Sequence, residues 1–353
     1  MTPEISVIIP THNRRAMLRE ALASVAAQRG ATFEVIVVDD GSTDGTWQDI
    51  CGQDISGQDI SGYDLSARRD NMRAVRTERR GPAGARNRGI AMARGALIAF
   101  LDSDDLWMPE KLARQSLFMR DNPECAISQT GERWLRDGRR VNPGRRHRKR
   151  SGDIFNDALR TCLVSPSATI LRRGLLDEVG GFDEDLAACE DYDLWLRILA
   201  RHEVGLLDEP LAVRRAGHPG QLSATVPALD RFRILALAKL LADASLDADK
   251  RTAAAEVIAE KCLIYGKGLT RRGRHDDGAF FAEAARSALK RWSREPDVAL
   301  TAARVRMRAM LKPCDISAVS IEPGGTHVRE QPAGCGNGYS MQYPDTRHSA
   351  EHQ

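Results

Sequence analysis

Ile98-Ala-Phe-Leu-Asp-Ser-Asp-Asp-Leu-Trp107 sets four apolar residues directly ahead of three carboxylates, Asp102, Asp104 and Asp105. An apolar run such as Leu97 to Leu101 reads as a strand buried on both faces, as in a parallel sheet. Open α/β sheets bind ligands at the carboxyl ends of such strands. Side chains alternate along an extended backbone, so Asp102 and Asp104 are expected to point the same way. Carboxylates aimed together repel one another unless something positive lies between them. A hard divalent cation meets that need and keeps positions open for water or phosphate oxygens. The plain alternative is a solvated acidic turn after a strand.

Upstream, Ile5 to Ile9 is an apolar run closed by Pro10. Thr11-His12-Asn13 then offers a cap to a helix carrying Leu18, Ala21, Leu22 and Val25 at helical spacing. Phe33 to Val38 reads as a second strand, ending in Asp39-Asp40-Gly41-Ser42-Thr43-Asp44-Gly45. Strand, helix and strand in this order make a right-handed βαβ unit the default. A second acidic cluster therefore falls at the end of a second parallel strand, where Ser42 or Thr43 could equally cap a helix. Residues 48–67 hold four copies of a five-residue repeat, Gln-Asp-Ile-Cys-Gly in its first form. Four copies are too few for a solenoid core, so the segment reads as a mobile surface loop or frayed helix end. Ala74 to Arg76 is a brief strand. Gly81-Pro-Ala-Gly-Ala-Arg-Asn-Arg-Gly89 opens a helix whose start offers free N–H groups and a positive dipole end to an anion.

Downstream, Met108-Pro109 leads into a helix to Arg120. Arg133 to Arg150 is densely basic and reads either as a solvated, mobile loop or as a contact for anionic lipid or a phosphate-bearing acceptor. Ser165-Pro-Ser-Ala-Thr-Ile-Leu171 is a loop entering a strand, and a short helix ends at Gly180-Gly181-Phe182-Asp183. Glu190-Asp191-Tyr192-Asp193 puts acids in the first turn of a helix, a favourable position against its dipole. Two short strands, Val204 to Leu207 and Leu211 to Arg214, precede Arg215-Ala-Gly-His218. From Pro227 the pattern becomes Ala- and Leu-rich. Helices are expected near 229–243, 250–264, 275–291 and 296–311, with Gly266, Gly268, Arg272 and Gly273 separating the second from the third. Their apolar stripes call for burial against the catalytic part or against a second copy of the chain. Residues 314–353 are Gly-, Pro- and His-rich without periodicity and read as disordered.

Length and composition set outer limits. The chain has 353 residues, enough for two domains, and a formal net charge of +3 that by itself argues for no nucleic-acid partner. Its 7 cysteines are odd in number, scattered and without CxxC spacing, which points to reduced thiols and not to a disulfide frame or zinc site. No apolar run approaches the roughly 20 residues that cross a bilayer. The N-terminus enters Ile5-Ser-Val-Ile-Ile-Pro10 with no signal peptide ahead of it. The expectation is a soluble cytoplasmic protein, with peripheral contact at the inner face of the membrane left open.

The ordered set Ser6-Val-Ile-Ile-Pro-Thr-His-Asn13, Val37-Val-Asp-Asp-Gly-Ser-Thr-Asp44, Ala85-Arg-Asn-Arg-Gly89, Leu101-Asp-Ser-Asp-Asp105, Gly180-Gly-Phe-Asp183 and Glu190-Asp191 resembles the family 2 glycosyltransferases. The resemblance covers about residues 4–220. It implies the GT-A fold, an α/β architecture with a Rossmann-like, mostly parallel sheet flanked by helices. That domain would span residues 1–222, with an α-helical region over 223–313 and the tail beyond. It implies inverting transfer from a nucleotide-sugar donor to an acceptor hydroxyl, carbohydrate or lipid-linked, with Mn2+ or Mg2+. By position, Thr11 and Asp40 match contacts to the base and ribose, and Arg86 and Asn87 the nucleotide pocket. Pro10, Asn13, Asp39, Ser42 and Ser103 join that donor side. Asp102 and Asp104 match the DxD motif, with Asp104 the direct metal ligand. Asp191 matches the catalytic base, Glu190 its neighbour. Ser165-Pro166-Ser167 and Trp195 fall on the acceptor side.

That layout agrees with the chemistry. Inverting transfer needs one base opposite the leaving group and a cation to stabilise the departing diphosphate. Two rivals stand beside it. A strand ending in Asp102-Ser-Asp104 also fits a haloacid-dehalogenase-type phosphatase, although Asp105-Leu-Trp follows where that class wants Thr or Val. The other rival is an inactive homologue that binds a nucleotide, against which the intact acids at 102, 104 and 191 argue.

Overall fold

The computed structural model describes residues 2–51, 71–218, 220–221, 225–294 and 298–310. Strand β4 (Leu97–Phe100) is buried along its whole length. It runs parallel to β1 (Ile5–Thr11), with Ile5 beside Leu97 and Ile8 beside Phe100. β1 pairs in parallel with β2 (Phe33–Asp40), and β2 in parallel with β3 (Met72–Thr77). Period-two alternation sends successive side chains to opposite faces. Helix α1 (Arg15–Ala26) buries Leu18, Leu22 and Val25 against the face of Val7, Ile9 and Ala99. After the short α2 (Thr46–Cys51), helix α3 (Gly81–Met92) covers the other face, against Ile8, Ile36 and Phe100. Gly89 makes that contact close, since a Cβ there would lie 2.4 Å from the Ile8 side chain.

Past β4 the sheet changes direction. Its order is β3-β2-β1-β4-β8-β6-β9-β5, with β7 paired to β6. Strand β5 (Leu106–Trp107) and helix α4 (Lys111–Asp121) follow the acidic stretch. β6 (Ile127–Arg136) is antiparallel to β8 (Thr169–Arg172), which is antiparallel to β4. The two short strands expected between 204 and 214 are one, β9 (Val204–Ala216), lying parallel to β6. Its polar interruption is absorbed by an irregularity, because Thr130 pairs with Leu207 but Gly131 with Pro210.

The basic run is not a loop throughout. Arg133 to Arg136 complete β6, and β7 (Arg139–Val141) returns antiparallel beside it. Asp137 and Gly138 form the two-residue turn at φ 49° and 73°, the left-handed pair that a tight hairpin demands. The Asp-Gly dipeptide carried that signal; the density of arginines concealed it.

Helices α5 (Phe155–Arg160), α6 (Arg173–Val179) and α7 (Glu190–Leu199) precede the C-terminal group. That group is α8 (Asp230–Leu241), α9 (Ala248–Arg271), α10 (His275–Ser287) with a π-helical turn over Ala288–Trp292, and α11 (Val298–Met310). Gly266 and Gly268 do not break α9, which runs on to Arg271. Gly266 instead lets α10 come close, with Gly278 O 3.0 Å from where its Cβ would be. Phe232, Leu237, Ile258 and Trp292 share one hydrophobic cluster with Phe100, Leu194 and Trp195. The C-terminal helices thus extend the core of the sheet's α7 side. Most of the repeat at 48–67 and all of the tail from 314 lie outside the described residues. No described helix is long and apolar enough to cross a membrane.

Candidate active site

Two loops meet at the carboxyl ends of β1 and β2. The Asn13 amide donates to Ser42 Oγ at 2.9 Å, and Asn13 Oδ1 accepts from the Thr43 amide at 2.7 Å. Pro10 and Thr11 are buried at the end of β1. Thr11 Oγ1 is buried and has no hydrogen-bond partner among the described residues. A buried hydroxyl of that kind is available to a ligand. Asp39 accepts from the Ser42 amide at 3.2 Å and pairs with Arg76 Nε at 3.3 Å. Asp40 is committed elsewhere. It accepts from the Arg80 and Gly81 amides, at 2.7 and 2.9 Å, and so holds the start of α3. Burial pushes its carboxyl up despite those bonds.

Arg86 is the hub of the site. It is 5% exposed, on the face of α3 that meets the sheet. Nη2 donates to Asp102 Oδ1 and Nη1 to Glu190 Oε1, both at 2.6 Å. Burial alone would disfavour its charge, but the two carboxylates more than offset this and hold it ionised. The guanidinium also lies 5.2 Å from the centroid of Phe182. Asn87 bonds neither Asp102 nor Glu190 and donates to Glu184 at 3.0 Å. It pins the Phe182 backbone, accepting from its amide and donating to its carbonyl, both at 2.9 Å.

The carboxylates after β4 converge through a turn and not through strand alternation. β4 ends at Phe100, and the Asp105 amide donates to Asp102 O at 2.9 Å. Ligand oxygens of Asp102, Asp104 and Asp105 come within 4.8 Å of one another. Their partners divide them. Asp104 binds Arg14 Nη1 and lies 3.0 Å from His218 Nε2. Although burial opposes ionisation, the His218 hydrogen bond and the Arg14 charge bring its carboxyl down to about 2. Asp105 accepts from Ser167 Oγ at 2.7 Å and from the Arg215 amide at 2.9 Å. Burial, then Asp104 and Asp102, push its carboxyl well up. Asp105 therefore ties the turn to β9, and Asp104 and Asp102 face outward. Ser103 is buried within the turn. The all-oxygen donor set suits a hard divalent cation, which would share Asp104 with Arg14 and Asp102 with Arg86.

At the other end of Arg86, Glu190 and Asp191 open α7. Cys189 precedes them at φ 61°, a left-handed conformation that aims the helix start. Asp191 Oδ1 accepts from the Tyr192 amide at 2.7 Å, and Oδ2 lies 3.5 Å from Cys162 Sγ. Asp193 is structural, bound to Arg197 and to Lys239 of α8, which also holds Asp183 at 2.8 Å. Ser167 lies against the acidic turn, its Oγ accepting from the Asp102 amide at 3.1 Å. Trp195 is 2% exposed and meets Phe182 edge-on at 6.4 Å. It props the ring on which Arg86 rests.

Four groups in this constellation escaped sequence reasoning. Arg14 and His218 reach Asp104 from loops 204 residues apart, and only chain closure brings them together. Glu132 and Lys149 pair at 3.1 Å beside Ser165. Nothing in their neighbours distinguishes them within a basic run.

A model of the glycosyl transferase family 2 matches residues 6–180. An uncharacterized protein of Mycobacterium tuberculosis is 31% identical over 254 residues, 66% of this chain and 75% of that one. The chain belongs to glycosyl transferase family 2. An uncharacterized glycosyltransferase of Rickettsia felis is 33% identical over 217 residues, 61% of this chain. This chain spans only 33% of the length of that relative. Among solved structures, TarS 1-349 of S. aureus with UDP-GlcNAc superposes at TM-score 0.58 with 21% identity, over 80% of this chain and 92% of that one. A mannosyltransferase from Pyrobaculum calidifontis, with GDP-Man and Mn2+, superposes at TM-score 0.51 with 21% identity, over 88% and 87%. The fold is accordingly GT-A, as the motifs implied, and family membership removes the phosphatase alternative.

Proposed function

We propose that this family 2 member is an inverting, metal-dependent glycosyltransferase. It would move a sugar from a nucleoside-diphosphate donor to an acceptor hydroxyl, in the synthesis of a cell-surface polysaccharide or glycolipid at the inner face of the membrane. One observation carries the reading. Arg86 joins Asp102 of the acidic turn to Glu190 at the start of α7. The diphosphate side and the base side are thus two ends of one buried unit.

Asp104 and Asp102 would hold Mn2+ or Mg2+, which when bound offsets the charge of the departing diphosphate. Thr11 Oγ1 is the group left for the nucleotide. Arg86 fixes Asp102 and opposes the burial that pushes the Glu190 carboxyl up. Asp191, at the positive end of α7, takes the proton from the acceptor hydroxyl. The fold neighbours support the donor class, having been solved with UDP-GlcNAc and with GDP-Man and Mn2+.

A panel of UDP- and GDP-sugars, each with and without Mn2+, tests this by thermal shift. Ligand at 100 times its Kd stabilises the folded state by about 2.7 kcal/mol. The expected result is a metal-dependent shift with one donor and slow metal-dependent hydrolysis of it. A shift without hydrolysis or transfer would leave a nucleotide-binding protein. No shift with any donor would remove the reading.

A further inference from the structure

Beside the base lies a cationic ledge that the donor reading leaves unused. Arg214 of β9 is in register with Trp134 of β6, and its guanidinium lies 4.9 Å from the indole centroid. Trp134 also meets His147, with ring centroids 5.3 Å apart. Among the described residues the Arg214 guanidinium has no hydrogen-bond acceptor and no ion-pair partner. The nearest acid is already taken. Glu132 accepts from Trp134 Nε1 at 2.9 Å and from the Ser165 hydroxyl, and pairs with Lys149. The local field is positive. Burial first, then Arg146, Arg214 and Lys149, push the His147 imidazole down, with Glu132 alone opposing. Arg139 and Arg140 of β7 and Arg145 and Arg148, which flank His147 in the chain, are exposed and have no carboxylate partner among the described residues. Arg215, the next residue of β9, donates its amide to Asp105 at 2.9 Å, and Lys149 donates to Leu163 O, one residue on from Cys162, whose Sγ lies 3.5 Å from Asp191, so the ledge adjoins the acidic turn and the start of α7.

We infer that Arg214, with His147 and the hairpin arginines, binds a phosphate ester of the acceptor, so that the sugar is transferred to a hydroxyl on a phosphate-bearing polyol or sugar. A guanidinium stacked on a ring and lacking a carboxylate matches phosphate oxygens in charge and in its paired donors. The inference rests on the glycosyltransferase reading and adds the acceptor's class to it.

The test uses the full chain saturated with UDP and Mn2+, so that donor-side phosphate positions are filled. Glycerol 3-phosphate is then titrated, with glycerol as the neutral control. In a parallel arm, phosphatidylglycerol vesicles present the same ester as a lipid headgroup, and phosphatidylcholine vesicles serve as their control. Wild type should bind glycerol 3-phosphate, the anionic vesicles, or both, and neither control. Arg214→Gln should weaken that binding by about tenfold or more, a charge-assisted contact being worth at least that much. Arg214→Lys should recover part of it, and UDP affinity should be equal in all three proteins. Which arm binds identifies a soluble or a lipid-borne ester. Binding unchanged in Arg214→Gln, or absent from wild type in both arms, would overturn the inference. So would displacement of glycerol 3-phosphate by UDP, which would assign Arg214 to the donor. Failure of wild type to bind UDP is a separate outcome. It would sink the glycosyltransferase reading, and the inference with it.

Discussion

Arg86 and Glu190 form a buried ion pair, Nη1 to Oε1 at 2.6 Å, between the first helix packed on the sheet's far face and the start of α7. Removing one partner of such a pair leaves a buried charge uncompensated, at a cost of about 3–5 kcal/mol. Arg86→Met should therefore lower unfolding free energy by an amount in that range. Adding Glu190→Gln should restore a good part of the loss, since the orphaned charge is then gone. Denaturant unfolding of the two single variants and the double variant gives the coupling energy. A double variant as unstable as the sum of the singles would mean that the two residues do not act as a unit.

Asp104 and Asp105 are neighbours with different work, and their substitutions should part company. On the proposed function, in which the diphosphate would reach the protein through the ion, Asp104→Ala should abolish transfer and remove the Mn2+ dependence of nucleotide binding. Asp105→Ala should instead lower the melting temperature, since it strands Ser167 Oγ and the Arg215 amide. Activity unchanged in Asp104→Ala would end the metal assignment.

The C-terminal helices bury Phe232, Leu235 and Leu237 in the cluster that contains Trp195. A chain ending near 222 would expose the other side of that contact and also lose Lys239, which holds Asp183 and Asp193 together. It should aggregate, whereas a chain ending at 313 should match the full chain in solubility and melting temperature. Light scattering and calorimetry on the two truncations decide it. Equal behaviour would mean that the helices are dispensable to the sheet.

The parallel half of the sheet was legible because buried strands read as unbroken apolar runs, as in Ile5 to Ile9 and Leu97 to Leu101. The C-terminal helices were legible from period. What failed was whatever depends on long-range pairing. Strand β6 mixes Thr130, Gly131, Glu132 and Arg133 and shows no alternation, because its partner β9 slips register beside it. Trp195 falls on the acceptor side by family resemblance, and it is buried in the core cluster that the C-terminal helices extend. Asp40 matches a ligand contact by position, and in addition each of its oxygens holds an amide at the start of α3, a second task that spacing does not show. Most of the nominated site residues, from Thr11 to Asp191, lie at the carboxyl edge of the sheet. Their division of labour follows from hydrogen bonds that spacing does not encode.

Lys111 gives a stability prediction with a definite sign. It is 0% exposed, with Nζ 3.2 Å from Thr169 O and 4.0 Å from the centroid of Trp107. Burial pushes its ammonium well below the usual lysine range. Between that depressed value and the unfolded value of about 10.4, the unfolded chain binds the extra proton, so stability rises with pH. Lys111→Met keeps the volume and removes the charge. At pH 7 it should raise the unfolding free energy, and the gain should shrink toward pH 10. Urea unfolding at both pH values measures it. A gain that does not change with pH would show that the amine is not the source.

Asp191→Asn is the sharpest test of the chemistry. The base acts in the chemical step, on the acceptor hydroxyl, and not in donor binding. Asparagine keeps the size and the acceptor oxygen that meets the Tyr192 amide, and loses the basicity. The variant should bind nucleotide-sugar and metal as wild type does. Its turnover should fall by on the order of 10²–10⁴-fold, the usual worth of general base catalysis. Glu190→Gln should behave differently. It removes one partner of Arg86, so it should lose melting temperature as well as rate, and loosen Asp102 at the far end of the same guanidinium. A purely structural Asp191 makes another forecast. An acid in a first helical turn contributes at most about 1 kcal/mol on an exposed surface, so its loss would shift the melting temperature slightly and leave turnover nearly intact. Donor affinity, turnover and melting temperature measured on one preparation separate these outcomes. Near-normal turnover with a small loss of stability would place the base on a different carboxylate.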